Sequence, residues 1–395
     1  MQARWLAGRG LRALVVPLVI AATMPIGHGP GAAPASICVS GTGTRWKHVP
    51  SPNANSSSNE LLGVAAVSAC QAWAVGGFNQ GNQTLIERWN GTAWKQQPSP
   101  NPGGSSEQNL LFGAAATSAT NAWAVGFYNT GTSDLTLIER WNGFAWIRQP
   151  SPNPSSTGDR LAGVTAISAT NAWAVGSDSG DTLIEHRNGT AWKQVPSPSP
   201  GNDGNQLVGV AAVSPTDVWV VGYYLNITGG RHTLIEHWNG AAWKQVPSPS
   251  PGGSNDSVLG GVDATSSTDV WAVGNYFTNG DRMSRTLVEH WNGTVWKQVP
   301  SPNPGPAPGS TLRGVAAISA GNVWAVGSSD SNGAMDRTLI EHWNGTAWKQ
   351  VPSPNPGASI DDLIGVAATS GTDIWAVGEA SKVESTSRTL SLHCC

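Results

Sequence analysis

Apolar, small and polar residues follow one pattern seven times along this chain of 395 residues. The fullest copy begins at Leu312 and reads LRGVAAISAGNVWAVG, followed after a polar stretch by TLIEHWNGTAWKQVPSPNP. A fixed period near 50 residues predicts a repeat architecture. The tryptophans of the seven WAVG-like segments, at steps of 50, 50, 46, 52, 53 and 51 residues, are Trp73, Trp123, Trp173, Trp219, Trp271, Trp324 and Trp375.

Each repeat contains four runs that read as strands, and in the first repeat they cover 61–68, 72–78, 84–89 and 92–97. Four strands per repeat are typical of one blade of a propeller. An Asn-Gly pair, Asn90-Gly91 in this repeat, separates the third run from the fourth and predicts a two-residue hairpin turn. That turn would place Trp89 opposite Thr92 and Glu87 opposite Trp94.

The two ends of the chain are out of phase with the repeats. The segment from Thr44 to Asn53 reads as a fourth strand without the three before it, and the last repeat, from Leu363 to Cys395, stops after three strands. An N-terminal strand that completes the last blade leaves no open sheet edge. The sequence therefore predicts an all-β, seven-bladed β-propeller of four-stranded blades over residues 44–395, closed by its N-terminal strand and monomeric.

The sequence motifs GVAAxS, WAVG, TLIEHWNGTAW and PSPNP resemble those of a group of exported bacterial propeller repeats. The ring of seven repeats of about 50 residues is also similar to Kelch-type propellers. Kelch repeats carry a paired-glycine signature where this chain has WAVG. The resemblance, over residues 44–395, therefore implies the architecture and neither Kelch partners nor functional residues.

The first 35 residues have the layout of a secretory signal peptide: three arginines, an apolar run from Ala13 to Met24, and a small-residue site at Ala33 to Ala35. We expect a secreted or extracytoplasmic protein with a short lead-in at 36–43, and no membrane insertion after cleavage because the run is too short for a span. Without the leader, 19 basic residues face 25 acidic ones, a net charge of −6. This balance argues against a nucleic acid partner.

Four cysteines fit an oxidising destination. Three pairings are open, and we favour Cys38 with Cys394 or Cys395, because these residues end the two halves of the split blade. Cys70 is the remaining candidate.

Several repeated residue types read as structural. The WAVG tryptophans are expected in the core between blades. A glutamate of six third strands, such as Glu87, is expected there with hydrogen bonds from indole or backbone N–H groups, and blade seven has Leu392 at that position. A basic residue recurs on the outer edge strand, where charge blocks pairing with other chains; its positions are Lys47, Lys95, Arg148, Lys193, Lys244, Lys297 and Lys349. Histidines recur before the WNG position, but two blades have arginine there, so they are not metal ligands.

No nucleophile–base, phosphate-loop or metalloprotease motif is present, and we expect no cofactor and no metal. The loops that follow second and fourth strands vary, and variable loops on one side of a rigid scaffold usually carry function. Acidic residues there, close to the central channel, suggest a glycan hydrolase or lyase as the alternative function. They are Glu60, Glu107, Asp159, Asp203, Asp256, Asp361 and Asp362.

Aromatic residues follow the WAVG segments unevenly, which argues for a local role, with strand extension and packing as the other reading. Rings with a few fixed polar groups suit a sugar or a peptide. We therefore predict a binding or interaction scaffold, with an extracellular glycan or protein ligand on the variable-loop face over blades four and five. The predicted ligand-binding residues are Tyr223, Tyr224, Tyr276, Phe277, Arg231, Asp281, Arg282 and Arg285.

Overall fold

A computed structural model describes residues 45–394 except 203, 228, 279–282, 305–308, 331–334 and 384–385. These residues belong to one compact unit and form 28 strands in seven four-stranded antiparallel sheets. The inner strand of each sheet contacts the inner strands of both neighbouring sheets, and the seventh contacts the first. The prediction of a seven-bladed propeller is therefore confirmed. Every element in the described ranges is a strand, so no helix there is long and apolar enough to cross a membrane.

The strands of each blade follow one another from the channel outwards. Blade one contains β2 (Asn59–Ser68), β3 (Gln71–Phe78), β4 (Gln83–Trp89) and β5 (Trp94–Gln97). Blade two contains β6 (Asn109–Ser118), β7 (Asn121–Asn129), β8 (Asp134–Trp141) and β9 (Trp146–Gln149). Blade three contains β10 (Asp159–Ser168), β11 (Asn171–Asp178), β12 (Asp181–Asn188) and β13 (Trp192–Gln194). Blade four contains β14 (Gln206–Ser214), β15 (Asp217–Leu225), β16 (Arg231–Trp238) and β17 (Trp243–Gln245).

The remaining blades repeat this order. Blade five contains β18 (Ser257–Ser266), β19 (Asp269–Phe277), β20 (Ser284–Trp291) and β21 (Trp296–Gln298). Blade six contains β22 (Ser310–Ser319), β23 (Asn322–Asp330), β24 (Asp336–Trp343) and β25 (Trp348–Gln350). Blade seven contains β26 (Ile360–Ser370), β27 (Asp373–Val383) and β28 (Thr386–Cys394), with β1 (Trp46–His48) as its outer strand. Strand β1 pairs antiparallel with β28, with Trp46 opposite Cys394, so the predicted closure is confirmed.

The core lies between the blades rather than within them. Trp73 and Val75 of blade one pack against Ala122 and Ala124 of blade two, so a bulky strand face meets a small one. Trp73 is fully buried, and burying such a ring stabilises the fold by up to about 4–6 kcal/mol. The same alternation recurs around the ring.

The glycine of the WAVG segment is fixed by a close backbone approach. In blade one the register between β2 and β3 shifts between Leu61 and Gly63. A Cβ atom added to Gly76 would lie 2.0 Å from the carbonyl oxygen of Glu60. No side chain fits at that distance, which explains why all seven blades have glycine there.

The predicted two-residue hairpin was wrong, because Trp89 lies opposite Trp94 and Glu87 opposite Gln96. The side-chain oxygen of Asn90 accepts hydrogen bonds from the N–H groups of Thr92 and Ala93, at 3.0 and 2.9 Å, and this closes a four-residue loop.

In blade two, the prediction of a basic residue at the recurrent position of the outer strand was wrong. Ile147 lies opposite Arg140, and the equivalent residue in blade one is Lys95, opposite Arg88. Arg148 instead donates to the hydroxyl of Tyr128.

Six glutamates of the third strands are fully buried between blades, as predicted. The predicted hydrogen bonds from indole or backbone N–H groups were wrong, since within the described part of the chain no such group donates to any of the six carboxylates. Burial raises the pKa of Glu87 and Glu236 to about 8 and that of Glu185 to about 9. The six residues are Glu87, Glu139, Glu185, Glu236, Glu289 and Glu341.

The histidines of the third strands stack on the buried WAVG tryptophans. His290 lies 4.2 Å from Trp271 between ring centroids, and its Nε2 is 2.6 Å from Asp269 Oδ1. Where blades one and two have arginine instead, Arg88 and Arg140 lie over the tryptophan rings at 5.3 and 5.1 Å. A flat group that stacks on indole satisfies this position, which explains the exchange of histidine for arginine.

Candidate ligand-binding site

Where the inner strands reach the variable-loop face, a ring of residues surrounds the central channel, and their identities differ from blade to blade. One position directly precedes a leucine that all seven blades share, and its cross-strand partner directly follows the glycine that all seven share. We call these fourteen residues the channel rim. The inner-strand members are Glu60, Leu110, Arg160, Gln206, Val258, Thr311 and Asp362, and their partners are Gly77, Phe127, Ser177, Tyr223, Asn275, Ser328 and Glu379.

Rim residues of neighbouring blades contact one another across the junctions. A Cβ atom on Gly77 would lie 2.4 Å from the Leu110 side chain, so the small residue of blade one accommodates the leucine of blade two. The guanidinium of Arg160 lies 4.1 Å from the ring centroid of Phe127. Arg160 also pairs with Asp134 of blade two. Packing between blades therefore accounts for part of the variation along the rim.

Below the rim lies a central cavity of about 560 Å³. Its wall includes the residue after each shared leucine, and we call these seven residues the throat. Blades three to five contribute small or medium side chains, and the other four blades contribute large ones. In blade order the throat is Leu62, Phe112, Ala162, Val208, Gly260, Arg313 and Ile364.

Tyr223 is the predicted aromatic residue that reaches this cavity. Its hydroxyl donates to Gln206 Oε1 at 2.7 Å, and the guanidinium of Arg231 lies 5.0 Å from its ring centroid. Asp256 fixes Arg231 by accepting from its backbone N–H at 3.0 Å and from Nη1 at 3.4 Å. These contacts fix the orientation of a partly buried ring at the mouth of the channel.

The other predicted aromatic residues lie apart from the cavity. Because strand side chains alternate, Tyr224 points to the opposite side of β15 from Tyr223 and stacks on His232, 5.6 Å between centroids. Tyr276 packs into the core between blades four and five, and Phe277 donates its backbone N–H to Asp256. Arg285 lies opposite Tyr276 in the strand register. Asp281 and Arg282 lie outside the described residues.

Tyr224 lines a second, smaller cavity of about 320 Å³ on the outer flank of blade four, with Thr233, Pro247 and Ser250. Its hydroxyl-rich wall includes the contact between Thr233 and Ser248, whose side-chain oxygens are 2.8 Å apart. That contact recurs in other blades, as between Thr84 and Ser99. The wall is therefore part of the blade scaffold.

The acidic residues predicted near the channel divide into different roles. Asp159 and Asp361 are fully buried and accept hydrogen bonds from backbone N–H groups of their own loops, at 3.2 and 2.7 Å. Asn109 and Asn205 do the same in blades two and four. Since an amide replaces the carboxylate there, the position serves to order the loop.

Glu60 and Asp362 belong to the rim. Burial, with the nearby carboxylate of Glu379, raises the pKa of Glu60 to about 7. Asp362 pairs with Arg313, 2.9 Å between Nη2 and Oδ2. Glu107 lies in the loop before β6, and Asp203 is outside the described residues. Among the described residues no group of three or more histidine, cysteine, aspartate or glutamate side chains could hold a metal ion.

Sequence reasoning missed most of the rim and the whole throat. Their signal is present in the sequence, since aligning the seven repeats shows variable positions on both sides of a shared leucine. The prediction followed aromatic residues instead, and several of those are turned into blade junctions.

Two of the four cysteines lie within the described residues. Cys70 is in the turn between β2 and β3. Cys394 is buried in the core between blades six and seven. Cys38 and Cys395 are outside the described residues, so the pairing stays a prediction.

No family model and no curated protein matches this chain. Three solved structures are similar to it. "YCF48 bound to D1 peptide" is 13% identical with a TM-score of 0.53, covering 88% of this chain and 96% of that one. "WD40 beta propeller domain of Doa1" is 12% identical with a TM-score of 0.52 and covers 88% and 96%; "Structure of U3-55K" is 11% identical with a TM-score of 0.54 and covers 89% and 98%. At these identities the likeness shows the propeller fold alone.

Proposed function

We propose that this protein is an interaction scaffold that binds a protein ligand at the channel mouth on its variable-loop face. The main support for this proposal is the channel rim. Its residues differ from blade to blade, whereas the leucine and glycine beside them are the same in all seven blades. The residues that are the same in all blades maintain the fold. The residues that vary around one cavity form a surface with different chemical groups on its different sides, and specific ligand recognition requires such a surface.

The chemistry of the rim supports a peptide segment over a sugar. Apolar, basic, amide and acidic side chains follow one another around it, as at Leu110, Arg160, Gln206 and Asp362, and the throat below is largely apolar. A peptide offers both apolar side chains and main-chain polar groups to such a surface. One of the similar structures is described as bound to a peptide, which is consistent with this choice.

Panning a random dodecapeptide phage library against the immobilised protein tests the proposal. Peptides selected on the wild type should bind Tyr223→Ala at least tenfold more weakly, because Tyr223 lies at the channel mouth. Phe144→Ala is the matched control: it removes an aromatic ring that is 91% exposed in a hairpin loop on the opposite face. Equal losses in both variants, or no selectable peptide, would contradict the proposal. Thermal unfolding of each variant establishes that it is folded.

One observation favours glycan hydrolysis or lysis as a second candidate. Glu60, with its pKa raised to about 7, can hold a proton near neutral pH beside the carboxylate of Glu379. If this pair is catalytic, the purified protein should degrade at least one member of a polysaccharide panel and Glu60→Gln should abolish that activity. A wild-type protein that is inactive on the whole panel removes this candidate.

We also propose that the protein is exported and monomeric in its mature form. The leader at residues 1–35 supports export. Sequencing of the mature N-terminus should find a start after Ala35, and sedimentation should give the mass of one chain. A protein that retains residues 1–35 in the cytoplasm would contradict the proposed location.

A further inference from the structure

We infer that the ligand anchors itself with one bulky apolar side chain, which enters the throat on the side of blades three, four and five. This inference rests on the proposed function and adds the class of ligand: an extended peptide segment with a leucine, methionine or phenylalanine as its central residue. Three features of the cavity support it.

The first feature is the uneven size of the throat side chains. Ala162, Val208 and Gly260 are consecutive around the ring and line the cavity with the smaller side chains. Arg313, Ile364, Leu62 and Phe112 occupy the opposite side. The seven inner strands come from equivalent positions, so the difference in side-chain size moves the free volume away from the ring axis, towards blades three to five.

The second feature is the set of rim residues that reach the cavity. They come from blades three to six and include Arg160, Gln206, Tyr223, Asn275 and Thr311. The cavity therefore opens towards the same side on which its throat is wide. Its mouth carries amide and hydroxyl groups, which are suited to the N–H and C=O groups of an extended main chain.

The third feature is the apolar character of the wide side. Ala162, Val208 and Gly260 present no polar side-chain atom, so a sugar hydroxyl buried there would find no side-chain hydrogen-bond partner. An apolar side chain needs none. A pocket with apolar walls and a few polar groups at its edge is the usual arrangement of a specific binding site.

Filling the throat tests this inference. Val208→Phe places a ring in the wide side of the cavity, and Ala162→Leu fills the same space from the next blade. Ala241→Phe is the matched control, because it adds a ring to blade four in the hairpin loop on the opposite face, where blade two has Phe144. Synthetic dodecapeptides from the phage selection serve as the probe, each with a variant in which its central apolar residue is alanine.

We expect the selected peptides to share one apolar residue and to lose at least tenfold in affinity when it is alanine. We expect a similar loss with Val208→Phe or Ala162→Leu, whichever is folded, and less than a twofold change with Ala241→Phe. Peptides that depend on Tyr223 but tolerate both filled throats would overturn the inference and leave the proposed function standing. A selection that yields no peptide sensitive to Tyr223→Ala overturns both.

Discussion

The guanidinium of Arg231 lies 5.0 Å above the ring of Tyr223, and Asp256 of the next blade holds that guanidinium in place. Tyr223 and Arg231 come from adjacent strands of blade four, whereas Asp256 comes from the loop that enters blade five. The contact therefore links two blades at the mouth of the channel. Removing the contact therefore tests how much this part of the rim contributes to the stability of the fold.

Arg231→Ala should lower the free energy of unfolding by only about 0.5–1 kcal/mol, because an exposed cation–π contact and an exposed ion pair contribute little. Chemical denaturation of the wild type and the variant measures the difference. A loss above about 2 kcal/mol would mean that the contact is a structural link between blades rather than part of a recognition surface.

Gly222→Ala should destabilise blade four by about 3 kcal/mol or more, because its Cβ atom would lie 1.9 Å from the carbonyl oxygen of Gln206. Gly158→Ala is the control, since its added Cβ atom meets no heavy atom within 4 Å. Denaturant unfolding of the two variants provides the comparison. Similar stabilities would show that the backbone of the WAVG strand can move away from the inner strand.

Stability should fall as pH rises from about 4.5 to 8, because buried glutamates such as Glu236 keep their protons in the folded chain and lose them in the unfolded chain. The pKa of Glu236 is raised to about 8 by burial. Above its unfolded pKa, each pH unit costs about 1.4 kcal/mol per such group until the folded pKa is reached.

Glu236→Gln removes this titration while keeping the shape of the side chain. Relative to the wild type, the variant should gain up to about 5 kcal/mol between pH 4.5 and pH 8, and little of this gain should be present at pH 4.5. Thermal unfolding across this range measures it. A constant difference between the two proteins at all pH values would show that Glu236 does not titrate on unfolding.

His290→Arg should cost less than about 1 kcal/mol, because arginine already stacks on the equivalent tryptophan in blades one and two. His290→Ala, which leaves the Trp271 face uncovered, should cost about 1–2 kcal/mol. Urea unfolding of both variants tests the exchange. Equal losses would show that stacking on Trp271 is not what maintains the position.

A disulfide at Cys70 should contribute about 2–5 kcal/mol to stability, so its reduction or the Cys70→Ser replacement should remove that contribution. Unfolding with and without dithiothreitol measures the loss, and the variant should then be insensitive to the reductant. Peptide mapping under non-reducing conditions identifies the partner. A bond between Cys70 and Cys38 would contradict the pairing of Cys38 with Cys394 or Cys395 that the sequence favoured.

The sequence by itself determined the number of blades, their strand order and the closure of the ring. A period near 50 residues, with a fourth strand at the start and three at the end, leaves one way to pair every strand. The shared glycines and tryptophans carried this information because each answers a local need that recurs seven times, as at Gly76 beneath the Glu60 carbonyl.

Only the tertiary structure decided the register of the outer hairpins and the position of the candidate site. The side chain of Asn90 stabilises a longer loop than the Asn-Gly pair alone suggests, which moves Glu87 from a tryptophan to Gln96. Tyr223 and Tyr224 are neighbours in sequence, yet one reaches the channel and the other the outer flank. The channel itself arises where seven separate inner strands meet, so its lining depends on residues about 50 positions apart that no single repeat contains.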